Sequence, residues 1–242
     1  MVNSLRLLEE HATARGTKAL LACGVIYSLS FVALTDLVAG RLYDGYSHLD
    51  QAVSELTAVG APTRTLLGFL VPLWSALLVG FGIGVLRAAN GNQPLRVTGG
   101  LLIAHGVISM QWLWFPMTAR EDIVAGTARW NDVGHLTILG WLTLLCLLEI
   151  GFGAAALGKG FRIYSLVTVV TAVVFGVLTS TEAANIADGD PTPLMGLYER
   201  ISIGAWLLWI AVLSATCCAT AVCSHRGSLK GPSESLFTGA ER

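Results

Sequence analysis

The sequence predicts an all-α, polytopic membrane helix bundle, with six transmembrane helices and a short interfacial helix on the outer side. Three observations carry this. Hydrophobic residues fill 54% of the 242 positions and charged residues only 13%, roughly half the usual charged share. Mean hydropathy is +0.66. Apolar runs recur at the length of about 20 residues that a helix needs to cross hydrocarbon. Only lipid covers so much apolar surface without aggregation. The formal net charge of −1, with no cluster of Lys and Arg, excludes the basic footprint of a nucleic-acid binder.

Six runs qualify as spans, at about 19–39, 65–86, 97–116, 133–157, 161–180 and 201–223. Residues 19–223 then form one six-span domain, between a cytoplasmic N-terminal segment 1–18 and a cytoplasmic tail 224–242. Orientation follows the basic residues. Arg6, Arg15, Lys18, Arg87, Arg96, Lys159, Arg162, Arg226, Lys230 and Arg242 are ten of the fifteen, and all fall on one side. The positive-inside rule makes that side cytoplasmic, in what is expected to be a bacterial plasma membrane. The outer connections carry Arg41, Arg64, Arg120, Arg129 and Arg200 among mainly acidic neighbours. A cleaved signal peptide fits the first span poorly, because the run is long and Glu9 and Glu10 weaken its basic flank.

The outer connections are the long ones, and long connections with their own side-chain chemistry are more often functional than tight turns. From His48 to Val59 there is neither Gly nor Pro, and Leu49, Val53 and Leu56 give a partial apolar stripe. This predicts the interfacial helix, with His48 and Glu55 on one face. Asp36, Glu55, Asp132, His135, Glu182, Glu199 and Arg200 all fall at the outer ends of spans or on this helix. Ionisable groups gathered at membrane depth mark a functional site by default. Arg200 reads as a fixed counter-charge for a neighbouring carboxylate, with Glu199 its expected structural partner.

The same positions carry a resemblance. Ser54-Glu55-Leu56 with Gly60-Ala61-Pro62, Phe115-Pro116 closing span 3, His135 opening span 4, and Gly196-Leu197-Tyr198-Glu199-Arg200-Ile201 opening span 6 resemble a family of bacterial multi-span membrane proteins catalogued as a domain of unknown function. The likeness runs over about residues 19–223, and the Gly-Leu-x-Glu-Arg-Ile element is its most specific part. It implies the fold and the polar positions and leaves the chemistry open.

Of the seven tryptophans, Trp114 and Trp130 sit where an interfacial belt holds them, whereas Trp74, Trp112, Trp141 and Trp206 are candidates to line a cavity. Ring faces stabilise a desolvated cation by roughly 0.5–2 kcal/mol each, which suits a carbocation reaction. The chain has no GxSxG elbow, no HExxH, no phosphate-binding lysine loop and no HxxxH on a span. The five cysteines lie in apolar runs without metal or disulfide spacing and read as packing residues. Gly80 and Gly84 read as a close helix contact. His105 reads as a hydrogen-bonded interior histidine, and Glu149 either faces the bundle or snorkels. No cofactor and no metal are expected.

Two functions stay open. In the first, an enzyme takes an apolar isoprenoid or lipid from the bilayer into an outer-half pocket and starts its reaction by proton donation. Glu55 is the acid there, Asp36 its alternate, Asp132 and His135 its orienting or proton-accepting partners, and the four tryptophans with Glu199 and Arg200 hold substrate. The analogy is to small integral-membrane terpene cyclases, in size and chemistry only. In the second, a lipid or ion transporter or sensor uses the same carboxylates as a binding or proton-relay site. Membrane lipid and an apolar small-molecule substrate are the expected partners.

Overall fold

The computed structural model describes residues 2–127 and 130–229, with side chains over 12–127 and 130–219. Arg129 and the tail from position 230 lie outside the described residues, as do the side chains of Arg6, Glu9, Glu10, Cys223 and Arg226. Every regular element among the described residues is helical. Helix α1 spans Val2–Val32 and runs on through a π-helical stretch, Ala33–Ala39, to a last turn, Gly40–Leu42. After a five-residue 3-10 helix at Val53–Thr57 come α2 (Arg64–Ala88) and α3 (Gln93–Ser109), which tightens into a 3-10 turn at Met110–Leu113. A short α4 (Arg120–Val124) precedes α5 (Trp130–Ala156), α6 (Lys159–Ala184) and α7 (Met195–Leu229).

Among the described residues, five segments are long and apolar enough to cross a membrane: Ala12–Leu42, Arg64–Ala88, Trp130–Ala156, Lys159–Ala184 and Met195–Ala219. The protein is therefore a multi-pass integral membrane protein. Helix α3, at 17 residues, is the short one, about 25 Å long. It starts where Pro94 suits a first turn and where Asn92 Oδ1 accepts from Leu95 N at 3.2 Å. The Asn92 amide also donates to Ala156 O at 2.9 Å, satisfying a carbonyl at the end of α5.

Neighbours in sequence are neighbours in space: α1 packs on α2, α2 on α3, α3 on α5, α5 on α6, α6 on α7, and α7 closes the ring on α1. Leu21, Phe81, Leu102, Ile150, Trp209 and Leu213 fill its centre. Hydrogen bonds stitch the helices where lipid supplies no hydrophobic drive between them. Ser28 Oγ donates to Leu207 O at 2.8 Å, Ser214 Oγ to Leu21 O at 2.6 Å, and Trp209 Nε1 to Ser165 Oγ at 2.9 Å. Gly84 is a true contact glycine, since a Cβ there would sit 2.8 Å from Leu21 N on α1. Facing outward, Ile163, Leu166, Val170, Val173 and Val177 of α6 stay exposed, as a lipid-facing helix requires.

The segment from His48 to Val59 is turns around the Val53–Thr57 3-10 helix, in place of the amphipathic α-helix its sequence suggests. Glu55 curls back to accept from Ala52 N at 3.0 Å, and Val53 N is drawn to Glu199 instead of to a helical carbonyl. Distant partners outbid local periodicity.

Candidate functional site

One end of the helix bundle carries a polar cap organised by two arginines. Arg200, in the second turn of α7, donates through Nε to Asp36 Oδ1 at 2.8 Å and through Nη2 to the Tyr46 hydroxyl at 2.7 Å. Its Nη1 reaches three carbonyls: His48 at 2.9 Å, Gly196 at 3.0 Å and Gln51 at 3.1 Å. The guanidinium also lies 5.6 Å from the centre of the Tyr46 ring. The partner of Arg200 is thus Asp36, 164 positions away, and the expected Arg200–Glu199 pair does not form; Glu199 accepts from Val53 N.

Local backbone explains why these groups meet. The π-helical turn widens α1 around Asp36, and the Asp36 carbonyl pairs with His48 Nε2 at 3.0 Å. Gly40 makes room for that imidazole, because a Cβ there would sit 2.2 Å from His48 Nε2. Gly196 lets α7 press against the connection between α1 and α2: its Cβ would lie 2.2 Å from Gln51 O. The Gly-Leu-x-Glu-Arg-Ile element is therefore a clamp on that connection, with Gly196 for approach, Glu199 for Val53 and Arg200 for five acceptors.

Arg120, at the start of α4, organises the other half. It grips Glu55 with two hydrogen bonds, Nη2 to Oε1 at 2.7 Å and Nε to Oε2 at 3.0 Å. Gln51 Nε2 adds a further donor to Oε2 at 3.0 Å. The remaining Arg120 nitrogen, Nη1, donates to Thr192 Oγ1 at 3.0 Å, and that hydroxyl donates to Asp50 O at 2.9 Å. These bonds to Glu55 push the Arg120 guanidinium above its ordinary value. Glu55 is 3% exposed and acts as an acceptor on both oxygens.

Asp132 and His135 belong to a third network. Asp132 accepts from Thr118 N at 2.7 Å and Thr118 Oγ1 at 2.6 Å, and Asn131 Nδ2 donates to Pro116 O. His135 Nδ1 donates to Phe115 O at 3.1 Å, and its ring lies 4.7 Å from that of Trp112. The acid candidates Asp36 and Glu55 and the pair Asp132 and His135 are thus held by different partners.

The four cavity tryptophans also part company. Trp74 packs on Phe31 at 4.9 Å and donates to Ser30 Oγ at 3.2 Å. Trp112 stays with His135. Trp206 lies inside the bundle, its Nε1 donating to Glu149 Oε2 at 2.9 Å, whereas Trp141 is exposed on α5. Glu149 faces the bundle and meets His105, Nδ1 to Oε1 at 3.1 Å.

Trp141 lines a groove between α3 and α5 at the cap end of the bundle, of about 530 Å³, with Ile108, Gln111, Phe115, Trp130 and Thr137. Its Phe115 wall rests on Gly134, where a Cβ would sit 2.1 Å from the ring. Sequence reasoning missed Arg120, Tyr46 and Thr192. Arg120 shares its connection with Arg129, so no feature of the sequence singled it out.

No curated protein matches the chain. No solved structure matches it either. The family model described as "Protein of unknown function (DUF998)" matches residues 22–216, and the chain belongs to that family.

Proposed function

We propose that the protein is a lipid-binding transporter or sensor that takes an isoprenoid or acyl chain from the outer half of the bilayer into the groove between α3 and α5. The groove itself carries this reading. It falls within the size of ligand pockets, about 300–1,000 Å³. Phe115, Trp130 and Trp141 give it an apolar, aromatic wall, and Gln111 and Thr137 give it polar groups that orient a chain end. Acid-initiated cyclisation is the second reading. Against it, the carboxylates of Glu55 and Asp36 both accept from guanidinium groups, and a carboxylate held that way does not donate a proton.

In this reading α3 with its 3-10 continuation is the sixth span, both termini are cytoplasmic and the polar cap faces outward. The positive-inside distribution of ten of the fifteen basic residues supports that orientation. In a cysteine-free background, a cysteine at position 188 reacts with an impermeant reagent in intact cells and one at position 90 does not; the opposite pattern reverses the orientation.

Photolabelling with diazirine-bearing isoprenoid and fatty-acid probes tests the binding. The label concentrates on the outer turns of α5. Thr137→Trp fills the groove and lowers labelling by about tenfold, the loss expected when roughly one side chain's worth of apolar burial is denied to the ligand. Labelling spread evenly over every lipid-facing helix, or unchanged in Thr137→Trp, refutes the groove. Conversion of a linear or epoxidised isoprenoid to a cyclic product by the purified protein restores the enzyme reading.

A further inference from the structure

Deep in the bundle, three metal-ligating side chains converge. Cys146 and Glu149 are three residues apart on α5 and so share a face. His105 comes to them from α3. One donor atom from each, the imidazole nitrogen, the thiol sulfur and a carboxylate oxygen, lies within 4.8 Å of the other two. His105 and Glu149 are buried, at 4% and 0% exposure, while Cys146 is half-buried. Trp206 holds this group in place from α7. Its Nε1 donates to Glu149 Oε2, which leaves Oε1 for His105, and its indole stacks on the imidazole at 4.6 Å and 10°. Tyr27 of α1 backs the indole edge-on, with centroids 5.8 Å apart.

We propose that His105, Cys146 and Glu149 form a binding site for one divalent transition-metal ion, with Zn²⁺ the ion their chemistry suits best. An imidazole, a thiolate and a carboxylate on one ion leave a fourth tetrahedral position open, the pattern of zinc sites that bind a further ligand. Calcium and magnesium take oxygen ligands and do not suit sulfur and nitrogen. The spacing fits. Two ligands at about 2.0–2.1 Å from one tetrahedral ion stand about 3.3 Å apart, and His105 Nδ1 and Glu149 Oε1 are separated by 3.1 Å. Cys146 Sγ lies within 4.8 Å of both, wider than the ligand separation of a tetrahedral site, so binding draws it inward.

Charge favours the same ion. A carboxylate and a thiolate together neutralise a dication, giving a site with no net charge at a depth where isolated charge is costly. On binding, the thiol proton and the proton shared between Nδ1 and Oε1 pass to water. The indole that fixes the carboxylate is the kind of outer partner that tunes metal ligands.

The test uses the full chain purified in detergent, stripped with a chelator and dialysed against ZnCl₂ or CoCl₂ alone. The wild-type protein retains about one zinc ion per chain, and its cobalt form shows a thiolate charge-transfer band with the intense visible bands of a tetrahedral site. Cys146→Ala keeps the His105–Glu149–Trp206 hydrogen bonds, so it folds, loses the charge-transfer band and binds zinc at least about tenfold more weakly, a deficit of ~1.4 kcal/mol. Glu149→Gln loses stoichiometric uptake where it remains folded. Sub-stoichiometric zinc in the wild type, a cobalt spectrum without thiolate ligation, or uptake unchanged in Cys146→Ala overturns the site.

Discussion

Breaking the Glu55–Arg120 pair one side at a time separates a structural cap from a proton-donating one. The two side chains are unequally buried, Glu55 at 4% exposure and Arg120 at 22%. Removing one partner of a buried pair costs about 3–5 kcal/mol because the other charge is stranded. Glu55→Leu leaves a guanidinium that keeps Thr192 and some water, so its cost lies at the low end, about 3 kcal/mol. Arg120→Met leaves the carboxylate with only Gln51 Nε2 and Ala52 N, so it falls at the high end, about 4–5 kcal/mol. The double variant strands neither charge. It is milder than the sum of the two by about 2–3 kcal/mol, within the range of coupled neighbours. Denaturant or heat titration of the four proteins in mixed micelles measures that coupling. Single losses that add to within about 0.5 kcal/mol refute the pair as a stabilising unit. If Glu55 were instead a general acid, Glu55→Gln would leave abundance intact and lower turnover by about 10² to 10⁴.

Two further outcomes follow from the cap. Gly196→Ala drives a Cβ to 2.2 Å from Gln51 O and 2.7 Å from His48 O, both backbone atoms, so it lowers thermal stability by about 1–3 kcal/mol or more, whereas Gly204→Ala on the same helix meets nothing within 4 Å and stabilises by about 0.5–1 kcal/mol. Equal melting temperatures for the two variants count against the clamp. Burial pushes the Tyr46 phenol above its ordinary value, against the pull of Arg200, so the folded state holds this proton more tightly than the unfolded chain does. The contribution is complete below pH ~10 and declines as pH rises past it; Tyr46→Phe flattens that alkaline decline, and an unchanged slope removes Tyr46 from the cause.

Span positions were legible because hydropathy reads the hydrocarbon directly. The runs at about 65–86 and 161–180 match Arg64–Ala88 and Lys159–Ala184, the helices running a few residues past the apolar stretch. The third run, about 97–116, was displaced: α3 begins at Gln93 and its α-helical part stops at Ser109, since the chain tightens before Phe115-Pro116. Side-chain partners were not legible. Adjacency pointed from Arg200 to Glu199, yet consecutive residues on a helix face different directions, and Asp36 lies 164 positions off. In a bilayer the lipid-facing and core-facing sides of a helix are equally apolar, so no periodicity reveals which way Trp74, Trp141 or Trp206 turns. For the same reason His105 and Glu149 could not be paired across α3 and α5.

The division between cap and bundle centre bears on where chemistry belongs. In the cap, each arginine finds several acceptors, and the hydrogen bonds tie the connection between α1 and α2 to α4 and α7. A polar network satisfied to that degree rigidifies, and Glu55, each of whose oxygens accepts two hydrogen bonds, has no lone pair left for reaction. Deeper in the bundle the balance differs. Glu149 is wholly buried, its described partners are an imidazole and an indole, and a half-buried thiol stands beside them. An acid at that depth is costly unless something stabilises it, and the groups around it are ligands that a metal ion would neutralise. The cap therefore holds the helices in register, while the groove and the His105–Cys146–Glu149 cluster, the two proposed binding places, both lie between α3 and α5.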